Sequence, residues 1–428
     1  MQKIFYNARF LTMNDKFETN DAMLVNDESI VFVGEKEEVL QMKTDGTELV
    51  DLKNKFVIPT FFDLNADVYK KIEGVLKNAK KDRFIEKEVE NDENYEKFDN
   101  FKVYEKEFLK IQTSFLKLGV TTIQERICSK QEFCFWKKIA ESGELKIDVI
   151  GYIDFLRNKQ IMDDNCRSFR KYKNHFRLGG YYINLDGSIL EKKAWLKKPY
   201  PKEKGYAGFG ELGFEQLKFI IKTAFEEKKQ LIVYADGDRA VDEFLSCFEE
   251  QLEESKVEDT YRPIIVGCNF VSKKVIQKMA KLKIIPNFEI DNLTENRDVL
   301  KSYFGRKLKK IIPFDLMEKE NVKNLFNFSS NKEFNSFDVA CDMLKEKSVL
   351  NKTAKCKNVF SAQKVLELLT TLPAYYCFDL EQKGSLESGK RANFLVVDKD
   401  ISKVGTEENS NIKVLSVYLD GNLIFSRK

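Results

Sequence analysis

Short runs of β-branched and aromatic residues recur along this chain, and most are separated by stretches with helical apolar spacing. The runs lie near 56–64, 120–125, 147–153, 181–185, 231–235, 264–268, 284–288 and 325–329. Between them, Phe214, Leu217, Ile220, Ile221 and Phe225 fall on one face of a helix over 214–227, and 240–252 and 271–282 repeat that period. Eight strands alternating with helices predict an α/β fold, a distorted (β/α)8 TIM barrel. The two ends of the chain read differently. Ala22-Met23-Leu24-Val25 and Ser29 to Gly34 flank the polar Asn26-Asp27-Glu28, which predicts a hairpin. Near the other end, Asn393 to Asp398 reads as a strand, and Val414 to Leu419 and Leu423-Ile424-Phe425 flank Asp420-Gly421, a strong hairpin turn. Residues 1–56 and 376–428 therefore predict one small β-sandwich, with a barrel over 57–375 inserted between its halves. A charged stretch at about 69–106 reads as a solvated helical insertion in the barrel.

Composition narrows the function classes. Of 428 residues, 43% are hydrophobic, enough for a sizeable core. Lys+Arg 72 against Asp+Glu 69 leaves a net charge of +3, and the lysines of 77–81 are answered by Asp82, Glu86 and Glu88. Nothing here makes the concentrated basic face that nucleic acid requires. The eight cysteines include no C-x-x-C pair, which argues against a zinc knuckle or redox motif. With no apolar run of membrane or signal length, a cytoplasmic protein with reduced thiols is expected. The most consequential count is histidine: there is one, His175, in a basic stretch with no evident carboxylate partner, which reads as a surface residue.

Three stretches carry a family likeness. The first is Asp51-Leu52-Lys53-Asn54-Lys55-Phe56-Val57-Ile58-Pro59-Thr60-Phe61-Phe62-Asp63, the second Tyr234-Ala235-Asp236-Gly237-Asp238-Arg239-Ala240-Val241-Asp242. The third joins Leu372-Pro373-Ala374-Tyr375 to Lys383-Gly384-Ser385-Leu386-Glu387-Ser388-Gly389-Lys390-Arg391-Ala392-Asn393 and the apolar run after it. In this order the chain resembles the amidohydrolase superfamily, in its branch of metal-dependent hydrolases related to imidazolonepropionase and N-substituted formamide deformylases. The resemblance implies a metal held by histidines, a modified lysine and an aspartate. At those positions this chain has Asn65 and Asp67 (first strand), Tyr182 (fourth), Tyr234 (fifth), Gly267 (sixth) and Ser330 (eighth). In working members the metal lowers the pKa of its water and a carboxylate takes the proton. Glycine offers no ligand atom, serine is no base, and a neutral phenol ligates zinc poorly.

The expectation is an amidohydrolase-like protein with its metal centre lost, inactive toward C–N hydrolysis, with no cofactor, and acting as a small-molecule binder or partner subunit. Asp67, Tyr182, Tyr234, Asp236, Asp238 and Cys268 are the candidate ligand-binding residues of the barrel mouth. No nucleic-acid or membrane partner is expected. A hydrolase of cyclic amides or formamides, using weak Mg²⁺ or Ca²⁺ on Asp67 and Asp238, is the alternative. A ligand-free oligomer subunit, such as a homodimer, is a third. Asp238 also reads as the N-cap of the helix after it, and Cys128 and Cys268 as small buried hydrophobes.

Overall fold

The structure, a computed structural model, describes residues 1–81, 100–255, 261–289, 296–305, 314–327, 361–401 and 412–427. Two sheets organise it. Strands β1 (Gln2–Leu11), β2 (Thr19–Asn26), β3 (Ser29–Gly34) and β4 (Glu48–Pro59) come from the first part of the chain. Eight strands follow: β5 (Phe61–Asp63), β6 (Val120–Ile127), β7 (Asp148–Asp154), β8 (Phe176–Asn184), β9 (Gln230–Ala235), β10 (Ile264–Gly267), β11 (Ile285–Glu289) and β12 (Leu325–Asn327). The last three are β13 (Phe394–Val397), β14 (Val414–Leu419) and β15 (Asn422–Ser426).

β5 to β12 lie side by side in chain order, every neighbour parallel, with helices in the connections. This is the expected barrel architecture. The other seven strands form a sheet in the order β15-β14-β13-β4-β1-β2-β3, so the two ends of the chain share it. Its core includes Phe5 and Phe394, ring centroids 4.9 Å apart, with Tyr418 stacked on Phe394 at 4.5 Å. Both expected hairpins form. Asp27 closes the first at φ 51°, and Asp420 and Gly421 close the second at φ 54° and 70°, the double left-handed turn that suits antiparallel strands.

Some boundaries differ from the expectation. The run at 56–64 is two strands in two sheets: β4 pairs with β13 through Pro59, and Phe61 opens the barrel by donating its N–H to Gly119 O at 2.9 Å. Thr60 alone makes the switch. The fourth barrel strand starts at Phe176 rather than Tyr181. Its first half hides in the sequence because it contains Arg177, Gly179 and Gly180. A Cβ on Gly179 would lie 2.6 Å from the Tyr152 ring, and one on Gly180 would lie 2.2 Å from Gln230 O, so neighbours dictate both glycines. The charged insertion is anchored at its two ends. Helix Val68–Lys81 opens the stretch predicted at about 69–106 and helix Phe101–Lys117 begins within its far end; Tyr69 stacks on Tyr104 at 5.3 Å, and both rings face Phe135. Residues 82–99 lie outside the described ones. Among the described residues no helix is long and apolar enough to cross a membrane.

A buried ionic knot joins the barrel's N-terminal face to the segment leading into β13. Asp148, fully buried at the start of β7, accepts from Lys383 Nζ at 2.6 Å and Arg391 NH1 at 3.0 Å, and meets His175 Nδ1 at 2.8 Å. Arg391 also donates to Asp420 through Nε at 2.6 Å. Asp379 takes Arg177 NH2 at 3.1 Å and the Tyr172 hydroxyl at 2.8 Å. Burial alone would raise the Asp148 pKa, but Lys383, His175 and Arg391 reverse that and hold the carboxyl well below its ordinary range. The reading of His175 as a partnerless surface residue is thus corrected. Its partner lies 27 residues earlier, where local sequence gives no sign of it.

Candidate functional site at the barrel mouth

The C-terminal ends of the barrel strands converge on Arg126. On β6 side chains alternate between the barrel interior and the surrounding helices, and Arg126 shares the interior side with Thr122 and Gln124. Its Nε donates to Asp67 Oδ1 at 2.8 Å, and NH2 donates to the other Asp67 oxygen, making a two-pronged pair. NH1 donates to the Tyr182 hydroxyl at 3.0 Å, and the Tyr182 hydroxyl in turn donates a hydrogen bond to Asn184 Oδ1. The guanidinium carbon stands 5.2 Å from the Tyr182 ring centroid and 5.6 Å from that of Tyr234, so two aromatic faces and a carboxylate enclose one cation. Asp67 reaches it from a left-handed turn at φ 47°, directly before helix Val68–Lys81.

Glu289, at the end of β11, ties the remaining positions together. It accepts from Asn65 Nδ2 at 2.8 Å with Oε1 and from the Tyr234 hydroxyl at 2.6 Å with Oε2. Burial and the Glu289 charge raise the Tyr234 pKa well above a free phenol, and burial lifts Tyr182 to about 12. Both rings therefore stay neutral across ordinary pH. Burial lowers the tendency of Arg126 to hold its proton, but the Asp67 charge and hydrogen bond outweigh it and the group stays charged.

A second layer lies below. Asp236 is buried, accepts from Ile189 N at 3.0 Å and Asn269 Nδ2 at 3.3 Å, and is pushed up to about 8 by burial and by Glu289. Asp186 accepts from the N–H groups of Asp236, Gly237 and Trp195 at 2.8–2.9 Å, fixing the loop after β8 over the start of helix Asp238–Ser255, which follows β9. Gly267 sits at φ 94°, and a Cβ there would lie 2.5 Å from Asp236 Oδ1.

The expected site residues separate accordingly. Asn65, Asp67, Tyr182 and Tyr234 meet at the mouth through Arg126 and Glu289. The tyrosines do not bond Asn65 or Asp67, because Glu289 and Arg126 stand between. Cys268 is fully buried, its Sγ against Ile265 O at 3.8 Å, and burial pushes its thiol well up, so it is core. Asp238 is the first residue of helix Asp238–Ser255 and accepts from Lys197 N at 2.8 Å, so it clamps the preceding loop instead of capping its own helix. Cys128 is half-buried, not core. Ser330 lies outside the described residues. Arg126 and Glu289 were missed. Each follows directly on a predicted strand, Val120–Glu125 or Ile284–Phe288, and a charged residue at the carboxyl end of a barrel strand is itself a signal.

A parallel eight-stranded β/α sheet with its polar cluster at the carboxyl ends, carried by a sheet from both chain ends, defines the class of fold as a β/α barrel with a composite β domain. The amidohydrolase family profile matches residues 95–425. The chain belongs to the amidohydrolase family. An uncharacterised metal-dependent hydrolase from Pyrococcus furiosus superposes with a TM-score of 0.76 at 18% identity, over 94% of this chain and 100% of that one. Short segments match an N-substituted formamide deformylase of Arthrobacter pascens (39% identity over 67 residues) and the exoenzymes regulatory protein AepA of Pectobacterium carotovorum subsp. carotovorum (38% over 63). They cover 16% and 15% of this chain and span only 12% and 14% of those proteins.

Proposed function

We propose that this chain is an amidohydrolase-fold protein that has given up its metal centre, is inactive toward C–N bond hydrolysis, and works as a small-molecule binder or partner subunit. The observation that carries the reading is the Arg126–Asp67 pair. Among the positions matched to ligands, Asp67 is the one described carboxylate, and both its oxygens are spent on a guanidinium. A second cation beside that fixed positive charge would be repelled. The other donors do not fit a zinc-like ion: two neutral phenols, an amide bound to Glu289, and a glycine. Among the described residues no group of three or more His, Cys, Asp or Glu is arranged to hold a metal. The same commitment of Asp67, and that of Asp238 to Lys197 N, weighs against a Mg²⁺ or Ca²⁺ site on those two carboxylates.

Binding is favoured over a purely structural plug because the mouth reaches solvent. The Arg126 and Asp67 side chains remain 16% and 26% exposed. One relative is named a deformylase and the other a regulatory protein, so the likeness itself leaves both kinds of role open. The test is elemental analysis of purified protein after growth and incubation with Zn²⁺ and Mn²⁺, together with a panel of N-formyl amines and cyclic imides. No stoichiometric metal and no turnover are expected. A bound equivalent of transition metal, with hydrolysis that Asp67→Asn abolishes, would overturn the proposal.

A further inference from the structure

The opposite face of the barrel carries four cations that, among the described residues, form no ion pair, although Glu227 and Asp163 attract Lys229 from farther off. Lys229, Arg262 and Lys323 each stand one or two residues before a barrel strand, β9, β10 and β12. Arg170 lies in the loop beside β8, its N–H on Leu178 O at 2.9 Å. Three aromatic rings alternate with them. Lys229 Nζ is 3.5 Å from the Phe169 centroid. The Arg170 guanidinium is 4.9 Å from Phe169 and 3.4 Å from Phe378. Arg262 is 4.4 Å from Phe378 and 3.8 Å from Tyr375, and Lys323 Nζ is 5.6 Å from Tyr375. The result is one ladder running Lys229, Phe169, Arg170, Phe378, Arg262, Tyr375, Lys323.

Among the described residues none of these four has a carboxylate within ion-pair distance, whereas neighbouring Arg177 has Asp379. Arg262 reaches only the Tyr375 carbonyl, and Arg170 Nε is buried with no partner. Lys229 is 9% exposed. Burial depresses the pKa of both Lys229 and Arg170, and Arg177 and Arg262 add like-charge repulsion at Arg170. A cation over a ring gains less than burying an uncompensated charge costs. Next to the ladder opens a cavity of about 260 Å³ whose lining includes Arg262, Lys323 and Tyr375 together with the apolar Leu252, Met279 and Ile284.

We propose that this face is a binding site for a small organic polyanion, a molecule with two or more carboxylate or phosphate groups on a compact apolar body. Among the described residues no ion-paired carboxylate has to be displaced from these charges. The rings hold both guanidiniums in place, so little ordering remains for the ligand to impose. The apolar wall of the cavity takes the body while the ladder takes the anionic groups.

The test is calorimetric titration of the full chain at matched ionic strength with pyrophosphate, citrate and isophthalate, separating phosphate, polycarboxylate and aryl carboxylate sources. Saturable binding in at least one arm is expected, weakened roughly tenfold or more by Arg170→Gln or Arg262→Gln, a loss of about 1.4 kcal/mol. Lys323→Glu, an exposed change that leaves the core alone, should also weaken it. No saturable binding in any arm, or equal affinity in wild type and all three variants, would overturn the proposal.

Discussion

Arg126 and Asp67, at the ends of neighbouring strands in the barrel mouth, form a two-pronged ion pair, with Nε to Oδ1 at 2.8 Å. Removing one partner leaves the other charge partly buried and alone. Arg126→Met should destabilise the fold by about 3–5 kcal/mol, and Asp67→Asn by less, since Asp67 is the more exposed of the two. The double variant should lose less than the sum, with a coupling of about 1–3 kcal/mol. Urea unfolding of the four proteins measures it. Additive losses would mean that the pair is not the organising contact of the mouth.

Restoring one imidazole should not restore a metal site. Gly267 holds φ 94° and has Asp236 Oδ1 where a Cβ would go. Gly267→His should therefore cost about 2–4 kcal/mol, combining backbone strain with displacement of a buried carboxyl. Thermal melts with and without Zn²⁺ check both parts, and a Zn²⁺-dependent rise in Tm would contradict the expectation.

Asp236 makes stability depend on pH in the neutral range. Its pKa is raised, to about 8, so the folded state holds the proton more tightly than the unfolded chain. Its contribution is complete below the ordinary carboxylate range of about 4 and fades as pH rises through about 8. Asp236→Asn should flatten that slope and gain on wild type by at least about 1 kcal/mol at pH 8. Denaturant midpoints between pH 5 and 9 read the difference; parallel curves would place the titration elsewhere.

The knot at the other end of the barrel has the opposite sign. The Asp148 and Asp379 carboxyls are depressed, so their contribution is present above about pH 4 and is lost as pH falls through their native values. Wild type should weaken on acidification more steeply than Asp148→Asn. Lys383→Met, which strips a fully buried cation from both carboxylates, should cost about 3–5 kcal/mol at pH 7. Acid titrations followed by circular dichroism test this, and equal acid midpoints would refute it.

Local pattern carried most of the architecture. Apolar runs located all eight barrel strands, and Asp420-Gly421 alone specified its hairpin. What stayed hidden was set by contacts distant in sequence. Gly179 and Gly180 look like strand breakers until Tyr152 and Gln230 are packed against them. At the mouth, following the family's ligand positions led to Asn65, Asp67, Tyr182 and Tyr234 but passed over Arg126 and Glu289, which hold those four together. Those two occupy positions where the family pattern directs no attention, and their partners are 59 and 224 residues away. His175 was misjudged for the same reason.

The Asp148 knot bears on how the molecule is made. Its carboxylate is laid down early, and its two strongest cationic partners emerge from the ribosome 235 and 243 residues later. During synthesis that acid must stay hydrated or protonated. The bottom of the third barrel strand then cannot lock until Lys383 and Arg391 have been released, so the barrel is a structure that a segment far downstream finishes.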